Sequence, residues 1–451
     1  GTTPVVFNVK DFGATGDGIN KDTDAFKKAI SECQKNGGGT LYIPAGIYLT
    51  GPIHLKSNIT LYIENGAVLK FSQDIDDYPT VYTRWEGEEA EVYSPLIYGE
   101  DIENIAVTGF GTIDGQGMLW WNLLRKKELR YPRPRGISFY RSRNITIDGI
   151  RIINSPSWTV NPIECENITV NNIKIQNPYD SPNTDGINPE SCRGVRISNC
   201  YIDVGDDCVT LKSGTEDCRE RIPCENITVT NCIMAHGHGG VVIGSEMSGG
   251  VRNVVISNCI FEGTDRGIRI KTRRGRGGIV EDIRVSNIVM KNVICPFAFY
   301  MYYNCGKGGQ EKRVWDKSAY PVDETTPVVR RIYVSDVTVR QARAAAGFLY
   351  GLTEMPIEDV VFSNVVIDMA DNPEPEIPAM ISFLEPMAKR GFILNTVKNA
   401  RFLNVSVNRQ DGTAFEFENC ENIELYRCSS DGEKDYSKFI SKKNVKGIIT
   451  E

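Results

Sequence analysis

No run of 18 or more apolar residues occurs in this 451-residue chain, so a transmembrane helix is not expected. Helical periodicity is almost missing as well. Histidine is scarce: the three copies are His54, His236 and His238. No Cys-x-x-Cys pair is present, so a zinc site of that kind is not expected. The 13 cysteines are odd in number, which excludes a fully paired disulfide framework. Positive charge is in the minority, and the net charge of −7 argues against general nucleic-acid binding. The first residues, Gly1-Thr2-Thr3-Pro4, have neither a basic n-region nor an apolar h-region. Either no signal peptide exists or it was removed before the numbering starts. Together with the odd cysteine count this favours a reduced, cytoplasmic chain. Secretion, or export to a periplasm after leader removal, is the alternative.

What the chain does have is a repeat. A phrase of the form Asn-Ile-Thr-Val returns at Asn58, Asn104, Asn144, Asn167, Asn226 and Asn253. Variants begin at Asp282, Asp359 and Asn422. Each is a short β-branched run with period-two alternation, the pattern of a strand. Many are followed by a second short strand after Asn or Gly, as in Ile147-Asp148-Gly149-Ile150-Arg151-Ile152. Short strands joined by Asn and Gly corners, repeating every two to three dozen residues, suit a parallel β-helix. Val, Ile and Cys face inward, and Asn tolerates the left-handed backbone of the corners. Cys200, Cys232 and Cys259 each follow an Asn inside such repeats and read as small core residues. The Asn-Ile-Thr triplets also match a glycosylation sequon, but the repeat already explains them. A solenoid grows coil by coil, so 451 residues need not divide into separate domains.

One helix is expected over residues 22–35. Asp22 or Thr23 can cap it, Phe26, Ala29, Ile30 and Cys33 form its apolar stripe, and Gly37-Gly38-Gly39 ends it. It fits a cap on the open end of a solenoid. Residues 73–97, 117–136 and 304–328 interrupt the repeat as long insertions. The second carries Trp120, Trp121, Lys126, Lys127, Arg130, Arg133 and Arg135. It reads equally as a solvated loop of mixed charge and as an aromatic, basic wall beside a groove.

Four motifs then stand out at nearly even intervals: Asn183-Thr184-Asp185, Gly205-Asp206-Asp207, Gly237-His238-Gly239 and Arg269-Ile270-Lys271. Asp185 to Asp207 is 22 residues, and Asp207 to His238 and His238 to Arg269 are 31 each. Coils of a β-helix are about 4.8 Å apart, so the carboxylates are expected roughly 5 Å from one another, with His238 roughly 10 Å and Arg269 roughly 14 Å from Asp185. Carboxylates that close cannot all ionise normally, and one is left with a proton to donate. An acid and a carboxylate flanking a bond are the equipment of a glycoside hydrolase. A neighbouring imidazole tunes or relays the proton. Arg269 and Lys271 point the same way from a strand and suit a negatively charged sugar such as a uronate. Alone, each motif is as readily a turn or a solvated strand face. Their order and spacing carry the argument.

These motifs, extended to Asn183-Thr184-Asp185-Gly186, Gly205-Asp206-Asp207-Cys208, Gly237-His238-Gly239-Gly240 and Arg269-Ile270-Lys271, resemble the four signatures of the glycoside hydrolase family 28 polygalacturonases, the bacterial exo-acting members most of all. The segment from Phe7 to Gly18 resembles the entry of pectin-degrading β-helix proteins. The resemblance implies an all-β, single-stranded, right-handed parallel β-helix spanning residues 1–451 as one domain, with the helix as its N-terminal cap. It implies Asp206 as general acid, Asp185 and Asp207 as activators of the attacking water, and His238 as support for the acid's protonation. Asn183, Arg269 and Lys271 would bind substrate. Tyr302 would join them, although Tyr300 shares its strand parity. The expected substrate is polygalacturonate or a pectic oligosaccharide, with no metal, cofactor, nucleic acid or membrane involved and the oligomeric state left open. Close carboxylates fit a retaining mechanism by the usual distance rule. The family is nonetheless regarded as inverting, and that is the expectation here. The insertions favour exo action. Endo cleavage, or a rhamnogalacturonan backbone, is the alternative within the class. Outside it stand a calcium-dependent polysaccharide lyase and a non-catalytic polysaccharide-binding β-helix.

Overall fold

Every asparagine of the repeated phrase sits in left-handed backbone: φ is 65° at Asn58, 59° at Asn104, 57° at Asn144, 55° at Asn167, 60° at Asn226 and 56° at Asn253. Asp282, Asp359 and Asn422 share it. L-residues are strained there, and Asn and Asp tolerate it best after glycine. The corner amides also bond to one another. Asn104 Nδ2 donates to Asn58 Oδ1 at 2.9 Å, Asn144 to Asn104 at 3.0 Å and Asn167 to Asn144 at 2.9 Å. The register places Gly194 opposite Asn167 in the next coil, with φ of 74°. There the repeat keeps its geometry but hides its letter.

The computed structural model describes residues 5–451, and residues 1–4, on which the leader expectation rests, lie outside the described residues. The chain forms two compact units: one runs to Cys208 and takes in Glu225–Thr228, and the other comprises Val209–Cys224 and Val229–Glu451. Both consist of coils of a right-handed parallel β-helix.

In the first unit, Gly39–Ile43, Ile59–Ile63, Glu103–Gly109, Arg143–Asp148, Glu166–Asn171 and Arg193–Ser198 pair in parallel, in that order. Leu41, Leu61, Val107, Ile147, Val170 and Ile197 fall in one register row and are all buried. A second ladder carries Tyr48, Leu69, Ile113, Ile152, Ile175 and Ile202 inward. A third begins with Ile53–His54, Ile97–Glu100 and Ile137–Tyr140. Full burial of each aliphatic side chain contributes roughly 1.5–3 kcal/mol before entropy is set against it.

The helix α1 spans Thr23–Lys35 and buries Ala25, Phe26, Ala29, Ile30 and Cys33. Asp22 stands at its N-cap but turns its carboxylate to the backbone N–H groups of Thr15 and Gly16 instead of the helix. The insertion at 73–97 contains an antiparallel hairpin, Thr80–Trp85 with Glu88–Tyr93. The insertion at 117–136 is solvated in part, with Lys126, Lys127, Glu128 and Arg130 exposed. It contains a helix α2, Met118–Arg125, with Trp120, Trp121, Arg133 and Arg135 buried. The Trp121 indole donates to the Ser155 and Pro156 carbonyls, so these tryptophans are core residues.

In the second unit, long bent strands stack in order: Val251–Glu262, Ile279–Val293, Val328–Ala342, Ile357–Met369, Val397–Asn408, Phe415–Tyr426 and Ile440–Thr450. Phe362, Phe392, Phe402 and Phe415 fill the interior with ring centroids 4.9–5.3 Å apart from one neighbour to the next. The insertion at 304–328 holds a short helix α3, Lys312–Trp315. A further arm between Met369 and Arg390 bridges back through Tyr303 and Ile381. No copy of the repeated phrase marks it in the sequence.

Candidate active site

In the first unit, Asp185 and Asp207 occupy the same place in successive coils, and Trp158 takes that place in the coil before. Thr159 N donates to the Asp185 carbonyl at 2.9 Å, and Gly186 N donates to the Asp207 carbonyl at 3.0 Å. One carboxylate oxygen each from Asp185, Asp206 and Asp207 lies within 4.8 Å of the others, as coil spacing predicts. Asp185 and Asp207 are 2% exposed and Asp206 is half-buried. The glycines of the two motifs have a steric cause. A Cβ on Gly186 would meet the Cys208 carbonyl at 2.3 Å, and one on Gly205 would meet the Ser181 carbonyl at 2.5 Å. Asp185 Oδ2 accepts from Asn188 Nδ2 at 2.9 Å, and Asn188 is tied to the previous coil through Asn161. Asp206 Oδ1 accepts from the Asp207 N–H at 2.9 Å.

Asn183 turns left-handed, with φ of 56°, and its Oδ1 accepts from Arg133 Nη2 at 2.5 Å. Arg133 also donates to the carbonyls of Pro156 and Pro182. Burial pushes its guanidinium down to about 10, while Glu86, Asp185 and Asp206 act to keep it charged. Sequence reasoning left Arg133 among the basic residues of an insertion. The structure makes it the brace of Asn183 and a counter-charge to the carboxylates.

The same carboxylate spacing can hold a divalent cation. Calcium and magnesium take six or more oxygens, so three side chains would leave half the shell to water.

In the second unit, Gly239–Gly244, Arg266–Lys271 and Cys295–Tyr300 are neighbouring parallel strands. His238 stands just before the first of them, and its Nδ1 lies 2.8 Å from Asp265 Oδ2. Asp265 follows the preceding coil by the bond from its N–H to the Gly237 carbonyl. Burial alone would raise the Asp265 carboxyl. The hydrogen bond and charge of His238, with Arg266 and Arg343, outweigh that and lower it. Arg269 and Lys271 flank buried Ile270 on one strand, and both are buried themselves. Arg269 Nε donates to Tyr300 Oη at 3.0 Å, and Lys271 Nζ lies 4.8 Å from the centre of the Tyr303 ring. Glu246 forms an ion pair with Lys212 at 3.0 Å. Burial would raise its carboxyl, but Lys212, Arg276 and Lys271 bring it to about 2.

Tyr302 is placed differently from Tyr300. Its ring lies under Lys317, 4.1 Å from Nζ to centroid, and edge-on to Tyr350. The tyrosines that touch the Arg269 and Lys271 side chains are Tyr300 and Tyr303. Asp265 and Tyr303 were not singled out from sequence. The signal for Asp265 is its distance of 27 residues from His238, one coil of the repeat.

A parallel β-helix that carries a cluster of three carboxylates in one unit, and an imidazole–carboxylate pair and two buried cations in the other, has the groups of a polysaccharide-cleaving glycosidase. The family model of glycosyl hydrolases family 28 matches residues 33–380. The chain is 39% identical over 372 residues to a probable polygalacturonase of Vitis vinifera, covering 80% of this chain and 74% of that one. An endo-polygalacturonase of Pectobacterium carotovorum is 32% identical over 307 residues, 63% of this chain and 73% of its own. The crystal structure of a hyperthermoactive exopolygalacturonase from Thermotoga maritima matches with a TM-score of 0.73 at 36% identity, over 82% of this chain and 89% of that one. The chain belongs to glycosyl hydrolases family 28 and is a polygalacturonase-like glycosidase.

Proposed function

We propose that this chain hydrolyses α-1,4-galacturonosyl linkages of polygalacturonate and related pectic chains, from the chain end and with inversion. The observation that carries the chemistry is the trio of carboxylates within 4.8 Å, set in the intact Asn-Thr-Asp and Gly-Asp-Asp motifs of the family. Asp206, the most accessible of the three, protonates the leaving oxygen. Asp185 and Asp207 take the proton of the attacking water. His238 keeps Asp206 supplied with its proton. Arg269 and Lys271 bind the galacturonate carboxylate, Arg269 with its fork of N–H donors. Asn183, braced by Arg133, contacts the sugar hydroxyls. The tyrosine role assigned by resemblance to Tyr302 fits Tyr300 better, because the Tyr300 hydroxyl holds Arg269.

Exo action is supported by the rigidity of the first insertion. Arg84 of the hairpin is buried against Glu164 and Ser191, and Trp85 stacks on Trp158 with centroids 4.9 Å apart. Arg133 and Arg135 lie against the same Trp85 ring. A hairpin fixed this firmly suits a wall that stops a polymer, and less a lip that lets one pass.

Chromatography of the products from polygalacturonate tests the reading. The expected product is one short species from the earliest times, released with its new reducing end as the β-anomer in an NMR time course. A ladder of oligomers with a steep early fall in viscosity would assign endo action. An α-anomer formed first would overturn inversion. Asp206→Asn is expected to lose activity by roughly 10³-fold or more while remaining folded. Near-normal rates would remove Asp206 from the acid role.

A further inference from the structure

We propose that Asp265 is a positioning residue for His238: it accepts the Nδ1 proton, fixes the tautomer and orientation of the ring, and reserves Nε2 for proton exchange. The inference rests on the catalytic reading of His238 above, but its geometry stands independently. The Nδ1···Oδ2 distance of 2.8 Å is that of a charge-assisted hydrogen bond. The backbone sets the pair rigidly. Asp265 N donates to the Gly237 carbonyl at 2.9 Å, and Arg266 N to the His238 carbonyl at 3.2 Å. On its other side the Asp265 carbonyl accepts from Ile294 N at 2.7 Å. Asp265 is thus clamped between two coils, and its side chain has little choice of neighbour.

Exposure points the same way. The His238 side chain is 50% exposed and that of Asp265 is 32% exposed, so the imidazole is open to a reactant while the carboxylate stands behind it. A half-exposed histidine without a partner samples both tautomers and several rotamers. Fixing it removes that freedom before substrate arrives. The charged groups facing Asp265 favour its ionised form. Arg266 is buried and anchored to the carbonyls of Ile377 and Pro378, and Arg343 is shared with Glu376 and the Asn292 side chain. His238 and these two arginines lower the Asp265 carboxyl despite its burial, and by reciprocity an ionised Asp265 favours the protonated imidazole.

Three histidines make the test direct, because each ring can be resolved in nitrogen- and carbon-edited NMR spectra of the whole chain. In the wild type the His238 Nδ1 shift is expected to be that of a protonated, hydrogen-bonded nitrogen across neutral pH. In Asp265→Asn the His238 midpoint moves to lower pH, while those of His54 and His236 stay. On polygalacturonate, kcat for this variant falls roughly 10–100-fold with KM within about two-fold, and the kcat/KM profile shifts in the same direction as the His238 midpoint. Asp265→Glu restores part of both. A wild-type spectrum with the neutral proton on Nε2, or a His238 midpoint unmoved in folded Asp265→Asn, overturns the proposal. Should the chain prove inactive on polygalacturonate, the spectra still decide this pair, and the failure falls on the functional reading alone.

Discussion

Arg133 shows how one side chain can join fold and chemistry. It is 1% exposed, donates to the carbonyls of Pro156 and Pro182 and to Asn183, and carries its charge near Asp185 and Asp206. Replacing it with methionine keeps the volume and strands three acceptors, one buried and two partly buried. Arg133→Met is expected to lower stability by about 3 kcal/mol, and calorimetry will read that as a fall of several degrees in Tm. A Tm within a degree of wild type would show that water replaces the guanidinium without cost. Nothing in the sequence separates Arg133 from Arg130 a few positions earlier, which is exposed. Both sit in one basic stretch, and only tertiary contacts distinguish brace from surface charge. By contrast, the clustering of Asp185, Asp206 and Asp207 was legible, because the repeat turns chain spacing into distance.

Among the elements, the corner asparagines make the sharpest case. Asn144 has φ of 57° and sits mid-ladder, donating to Asn104 and accepting from Asn167. Asn144→Ala removes both bonds and forces an alanine into the left-handed region, for a loss of about 2–3 kcal/mol. Asn144→Gly keeps the backbone comfortable and loses only the bonds, for about 1 kcal/mol less. Thermal melts of the two variants should therefore rank wild type above Gly above Ala. Equal losses would mean that the amide ladder matters and the backbone angle does not. The position of Gly194 in the coil after Asn167 shows that glycine is already accepted there.

The strands and corners were readable because period-two alternation and left-handed Asn are local properties. The insertions were not. Helix α2 starts at Gly117 without a side-chain cap, and its adjacent tryptophans give no clear stripe. The hairpin at Thr80–Trp85 did leave a trace in Glu86-Gly87, whose φ values of 49° and 83° are those of a tight hairpin turn. The arm before Arg390 is proline-rich and held by bridges from distant residues, so no window of sequence displays it.

At the scale of the whole molecule, stability should depend on acid in a defined window. Glu216 pairs with Arg273 and Arg276, each at 2.8 Å. Burial would raise its carboxyl, but the arginines bring it to about 2, and Glu246 is likewise at about 2. Both values lie below the ordinary 4.5, so the folded chain binds these protons less readily than the unfolded one. Their contribution is complete above pH 4.5 and declines as the pH falls from there towards 2. Tm is expected to drop steeply across that interval. Glu216→Gln should lower Tm near neutrality and flatten the acid slope. An unchanged slope would take Glu216 out of the account.

The buried cysteines carry a different consequence. Cys33, Cys295, Cys420 and Cys428 lie unbridged in the interior. Burial pushes the Cys33 and Cys428 thiols up, that of Cys420 to about 11 and that of Cys295 to about 12. Folded, these sulfurs are nearly inert to oxidants and alkylating agents. Once the chain opens they return to an ordinary value near 8.5 and become nucleophiles. In air, each excursion to the unfolded state then risks a wrong cross-link that blocks return. Inactivation in air is therefore expected to track how often the chain opens, and a reducing agent to slow it without touching a native contact.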